Sequence, residues 1–190
     1  MRDFIRLYHL EAYLFGEVTK RFQDEGKLSA FDFFCIVIWK ANRSKSKVAA
    51  RLVRTKNHSN LTAAVDALLQ EVGSAPDNYG RLRVMIEEWG FRLPMASAIL
   101  TVLYPKDFTV YDNRVCDALG DFKDAQYKTR FEALWSRYSE YIQAVRAAVP
   151  GHELLRDKDR YLWGKSFAEQ LERDVACGFQ KSAEDDEVEG

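Results

Sequence analysis

Apolar residues in this chain return every third or fourth position over stretches too long for strands, and no segment alternates polar with apolar. That pattern argues against a half-buried sheet and makes the expected fold class all-α. Residues Phe4 to Phe22 show it first, with Ile5, Tyr8, Ala12, Phe15, Val18 and Phe22 on one helical face. Val48, Ala49, Leu52 and Val53 make a second face, on a helix starting near Ser44. Leu61, Ala64, Val65, Leu68, Leu69 and Val72 make a third, opened by Asn60 and ended by Gly73. Between Asp32 and Trp39 the chain is too uniformly apolar for periodicity to assign, but Ser29, three positions before Asp32, has the spacing of a helix cap. The run from Ser74 to Gly80 reads as a loop. Two long amphipathic stretches, 126–149 and 155–175, flank Pro150-Gly151.

A chain of 190 residues, 47% hydrophobic, can bury one real core, and a single globular domain is expected over 1–180. No apolar run approaches the roughly eighteen residues of a membrane span. Arg2, Asp3, Arg6 and His9 interrupt the first ten positions, so no signal-peptide core is read there and a cytoplasmic location is expected. Cys35, Cys116 and Cys177 are odd in number and far apart, which suits buried thiols rather than a disulfide framework. His9, His58 and His152 have no ligand spacing, so neither a metal nor a cofactor is expected.

The net charge of −1 conceals a division of charge. Glu184 to Gly190 carry five acidic side chains and no basic one, within a tail at 181–190 too poor in apolar surface to order itself. From Lys40 to His58 there are seven basic residues and no acidic one: Lys40, Arg43, Lys45, Lys47, Arg51, Arg54 and Lys56. Such a run is either a solvated helix face or a track for phosphates.

The middle of the chain holds the most information. Helical spacing from Leu82 to Trp89 stops at Gly90 and resumes from Met95 to Tyr104 just after Pro94, which predicts an αα-hairpin with a turn of about four residues. Phe108-Thr-Val-Tyr111 is extended in character, and Asp112 stands where a helix over 113–119 would begin.

Trp89-Gly90-Phe91-Arg92-Leu93-Pro94-Met95-Ala96-Ser97-Ala98-Ile99-Leu100, followed by Phe108-Thr109-Val110-Tyr111-Asp112-Asn113-Arg114-Val115, resembles the core of the helix-hairpin-helix DNA glycosylase superfamily, which includes endonuclease III and 8-oxoguanine glycosylase. Gly90 matches the first hairpin glycine, Ala96 the hairpin alanine and Asp112 the family's catalytic aspartate. Trp39-Lys40 with Arg43, and the run from Arg156 to Trp163, are similar to features of bacterial relatives. Arg92 stands at the second glycine, Pro94 occupies the lysine position of the bifunctional members, and the four cysteines of the iron–sulfur cluster are absent. The resemblance therefore implies a two-lobed fold, one lobe of 25–111 with the hairpin at 89–104, the other of 1–24 with 113–177. It implies double-stranded DNA as partner and a location with the nucleoid. The implied reaction is base excision in DNA repair, hydrolysis of an N-glycosyl bond without strand-cutting chemistry, since no hairpin amine is present to form a Schiff base.

In that reading Asp112 stabilises the sugar cation, Gly90, Phe91 and Arg92 grip the backbone together with Lys40, Arg43, Lys45, Lys47 and Arg51, and Tyr111, Trp39 and Trp163 wall a pocket for a flipped base. Each assignment has a plainer counterpart. Asp112 is also a good helix cap, Gly90 and Pro94 also suit an ordinary tight connection, and aromatic residues at helical spacing usually belong to a core. A non-catalytic nucleic-acid-binding or protein-interaction module is the alternative.

Overall fold

Four helix starts carry their own side-chain caps, and these mark out much of the fold. Ser29 Oγ accepts the Asp32 N–H at 3.1 Å, Asn60 Oδ1 accepts that of Ala63 at 3.0 Å, Asp77 Oδ1 that of Gly80 at 2.7 Å, and Asp112 Oδ1 that of Arg114 at 3.0 Å. The computed structural model describes residues 4–179, and every regular element among them is helical. The acidic stretch at 181–190 lies outside the described residues.

The chain runs through α1 (Phe4–Tyr8), α2 (Leu10–Tyr13), a π-helical turn (Leu14–Val18) and α3 (Thr19–Glu25), which together form the predicted first helix. Its buried face differs from the expected one. Ile5, Tyr8 and Ala12 are exposed, while Leu14, Val18, Thr19 and Phe22 are buried. A π turn carries more residues than an α turn, so the inward face changes register at Leu14.

Next come α4 (Ala30–Ala41), α5 (Lys45–Thr55) and α6 (Leu61–Ser74). The uniformly apolar segment is a helix, with Phe33, Cys35, Ile36 and Val37 buried. Helix α6 runs one residue past Gly73, and the expected loop at 74–80 is shorter than predicted, because Asp77 opens α7 (Asn78–Arg83). That helix passes into a π turn (Val84–Glu88), and after 89–92 the chain continues into α8 (Leu93–Leu103), completing the predicted αα-hairpin. Helix α9 (Asn113–Leu119) ends at Gly120 in the left-handed conformation. Helix α10 (Phe131–Ala148) starts five residues later than periodicity predicts, after a short 3₁₀ turn at Ala125–Tyr127, and α11 (Leu155–Ala176) closes the described chain.

Buried apolar residues from Leu14 to Leu162 form one continuous cluster drawn from every long helix. Helix α8 lies at its centre, with all its residues buried except Pro94 and Met95. The first helical stretch packs on α4 and α8, and α9 lies along α11. Cys35 and Cys116 are buried as expected; Cys177 is exposed, since it follows the last turn of α11 beyond the core. Among the described residues no helix is long and apolar enough to cross a membrane.

Candidate functional site

The extended segment at 108–111 crosses the interior without a partner strand, so its backbone groups need other partners. Ser97 Oγ on α8 accepts the Tyr111 N–H at 2.9 Å. From α10, the Tyr138 hydroxyl donates to the Thr109 carbonyl at 2.5 Å and the Tyr141 hydroxyl to the Val110 carbonyl at 2.8 Å. Three side chains from two helices thus pin the strand-like run and aim the residue that follows it, Asp112, at solvent. Burial holds both phenols well above their ordinary pKa, so they stay protonated donors at any working pH.

Asp112 opens on a cleft of about 530 Å³, a size suited to a small ligand. Trp39 and Lys40 from the end of α4 line it together with Asp159 and Trp163 from α11. One Asp112 oxygen caps α9; the other accepts from Lys40 Nζ at 2.7 Å. Lys40 also reaches the Tyr111 carbonyl at 3.4 Å. The carboxylate is thereby oriented by one backbone amide and one ammonium, and its side chain remains 27% exposed.

Behind this pair lies a second set of charges. Arg156 donates to Asp159 Oδ2 at 2.5 Å and to Glu11 Oε1 at 2.8 Å, while its guanidinium lies 5.1 Å from the centre of the Trp39 ring and 5.3 Å from that of Phe15. Asp159 is only 2% exposed. Burial raises its pKa, and Arg156 offsets part of that shift. Asp112 and Asp159, two of the three carboxylates that line the cleft, therefore sit in different settings, one partly solvated and one enclosed. A larger hollow of about 900 Å³ adjoins the cleft across Glu11, Arg156 and Arg160, but neither Asp112 nor any residue expected to grip DNA or wall a base pocket lines it.

Trp39 and Trp163, expected to wall a base pocket, line this cleft, whereas the same expectation is corrected for Tyr111. That ring is fully buried and its hydroxyl donates to the Phe122 carbonyl at 2.7 Å, so it belongs to the core. Phe91, expected to help grip the DNA backbone, is corrected in the same way: at 3% exposure it is a core side chain with no surface to offer. Gly90 closes the preceding helix with φ of +66°, and the Phe91 N–H returns to the Met85 carbonyl at 2.9 Å. Pro94 has no N–H, and those of Met95 and Ala96 both return to the Arg92 carbonyl, at 3.1 and 3.0 Å. Arg92 itself is exposed. The Arg51 guanidinium donates to the Gly90 carbonyl, so it serves the turn.

The basic run is less uniform than its sequence. Lys40 is taken by Asp112, and Lys56 is paired with Glu71 at 2.6 Å and Glu88 at 3.3 Å. Arg43, Lys45 and Lys47 stand exposed, Lys45 donating to Asn42 at 2.7 Å. Val48 and Leu52 of α5 face inward, as the apolar spacing required. Sequence reasoning gives no role to Asp159, Glu11, Ser97, Tyr138 or Tyr141, although Asp159 falls in the 156–163 run and Ser97 in the hairpin segment. Each acts through a partner at least fourteen residues away, apart from the local Asp159–Arg156 pair, and local spacing does not reveal such partners.

Among the described residues no group of three or more histidine, cysteine, aspartate or glutamate side chains could hold a metal ion. Comparison of the chain with protein-family models, with curated proteins and with solved structures gives no match.

Proposed function

We propose that this protein binds DNA in the manner of a DNA glycosylase, receives an extruded nucleobase between Trp39 and Trp163, and uses Asp112 to stabilise positive charge on the sugar as the N-glycosyl bond breaks. The observation that carries this reading is the setting of Asp112: an oriented, partly solvated carboxylate at the mouth of a cleft walled by two tryptophans. Exposed Arg43, Lys45 and Lys47, just beyond the Lys40 that pairs with it, offer charge for the phosphates on either side. In this mechanism Lys40 holds the carboxylate in place, and water attacks the sugar cation once the base has left.

The test is release of free base from a panel of damaged oligonucleotides, read as abasic sites. Asp112→Asn lowers release by about 10²- to 10³-fold while leaving DNA binding intact. Equal release by the variant would remove the catalytic claim.

One observation favours a non-catalytic module that keeps only the DNA grip. All three cleft carboxylates are already paired, Asp112 with Lys40 and both Asp159 and Glu11 with Arg156, as structural ion pairs would be. This second reading predicts DNA binding with no base released from any member of the panel.

A further inference from the structure

Trp163 and Phe167 stand one turn apart on α11 with their rings nearly parallel, 8° between planes and 5.6 Å between centres. They are 42% and 43% exposed, so core packing does not account for them. The Arg114 guanidinium from α9 lies 5.4 Å from the centre of the Trp163 ring and 5.5 Å from that of Phe167, steadied by a 2.9 Å hydrogen bond from Nη1 to Gln170 Oε1. Its backbone N–H is the one that caps on Asp112. Trp163 also lines the cleft, so the ring pair continues the cleft outward over the surface of α11.

Two adjacent exposed rings beside a cation have a specific use. Every nucleobase has a flat apolar face that stacks on an aromatic ring, and a neighbouring guanidinium adds cation–π attraction and charge for the phosphate. Inside a duplex those faces are covered by neighbouring base pairs. Only an unpaired base can lie on such a surface.

We propose that Trp163, Phe167 and Arg114 form a stacking platform for an unpaired nucleobase adjoining the nucleotide in the cleft, so that the preferred ligand is single-stranded or locally unpaired DNA. This rests on the DNA-binding reading above and specifies its ligand. The exposed apolar face of α11 runs on through Leu171 and Val175, which another protein helix would also cover. A nucleobase uses the first two rings and the arginine, the part that is joined to the cleft and carries charge complementary to a polyanion.

The experiment measures binding of the full chain to a labelled single strand about 12 nucleotides long and to the matching blunt duplex, by fluorescence anisotropy. The wild type binds the single strand more tightly. Phe167→Ala weakens single-strand binding about ten-fold and changes duplex binding by less than about two-fold. Phe167→Tyr, which keeps the ring, binds like the wild type, and Leu171→Ala changes neither affinity. Circular dichroism verifies that each variant is folded. The platform is overturned if Phe167→Ala spares the single strand, lowers both affinities equally, or is matched by Leu171→Ala. It is also overturned if sedimentation shows a wild-type dimer that Phe167→Ala dissociates, since a second copy would then cover the face. If the wild type binds neither oligonucleotide, the DNA-binding reading fails with it; if it binds both while Phe167→Ala has no effect, only the platform fails.

Discussion

Two helix starts in this chain, Arg92 before α8 and Asp112 before α9, differ in what they leave for a ligand. At the first, the turn spends its polar groups on itself: the N–H groups of Met95 and Ala96 return to Arg92, Arg51 covers the Gly90 carbonyl, and Phe91 is buried in the core. At the second, the neighbouring backbone is satisfied from beneath by Ser97, Tyr138 and Tyr141, and the carboxylate stays at the surface beside two tryptophans. Arg92 and Asp112 share the extended backbone of a helix cap, yet only Asp112 keeps a charged group facing the cleft. A turn whose sequence reads as a grip on phosphate can thus be taken up by its own packing, while chemistry depends on where solvent still reaches.

The sharpest way to break this contrast is to truncate one aromatic on each side. Phe91→Ala costs about 3–5 kcal/mol, because a buried ring leaves a cavity behind. Trp163→Ala costs less than about 1 kcal/mol, and its effect falls on DNA binding instead. Denaturant melts of both variants check this; similar destabilisation would mean that the cleft wall is core as well.

Charge reversal separates the free part of the basic run from the paired part. Arg43→Glu with Lys47→Glu reduces the dependence of DNA binding on log salt by about one for each phosphate no longer neutralised. Lys56→Gln leaves that slope unchanged, because Glu71 and Glu88 already neutralise this side chain. Salt titrations at constant pH give the slopes.

Gly90→Ala tests whether the turn matters beyond its shape. The added methyl meets nothing closer than Arg51 Cδ at 3.9 Å, so the cost is the positive φ, about 1 kcal/mol, with DNA affinity unchanged. A drop in affinity at unchanged stability would restore the turn as a binding surface.

The smallest effect concerns the enclosed carboxylate. Burial raises the Asp159 pKa above 3.8, so its contribution to stability is present in full below that value and is lost as pH rises through the raised one. Asp159→Asn removes this dependence. The difference in Tm between variant and wild type therefore moves in favour of the variant as pH is raised from about 4, in paired thermal melts. A constant difference would show that Arg156 cancels the burial entirely.

Much of the framework is legible from local spacing. Ser29, Asn60 and Asp112 cap as expected because each bonds an N–H two or three residues ahead, within reach of the local chain. The buried helix at 30–41 and the hairpin around 89–92 follow from similar short-range signals. Asp77 escapes notice as a cap because its helix begins inside a stretch that proline, glycine and asparagine mark as loop. The inward face of the first helix departs from its apolar spacing because a π turn leaves no clear mark in that spacing.

Local order along the chain determined which segments are helices and where many of them begin, because hydrogen bonds three and four residues apart decide that question. Whether a given aromatic or charge is spent was decided only when the helices met. Lys40 finds Asp112 across 72 residues and Arg156 finds Glu11 across 145, while Phe91 and Tyr111 vanish into a core that Trp163 escapes. Such outcomes depend on which helical faces are pressed together, and that packing sums weak attractions over the whole molecule.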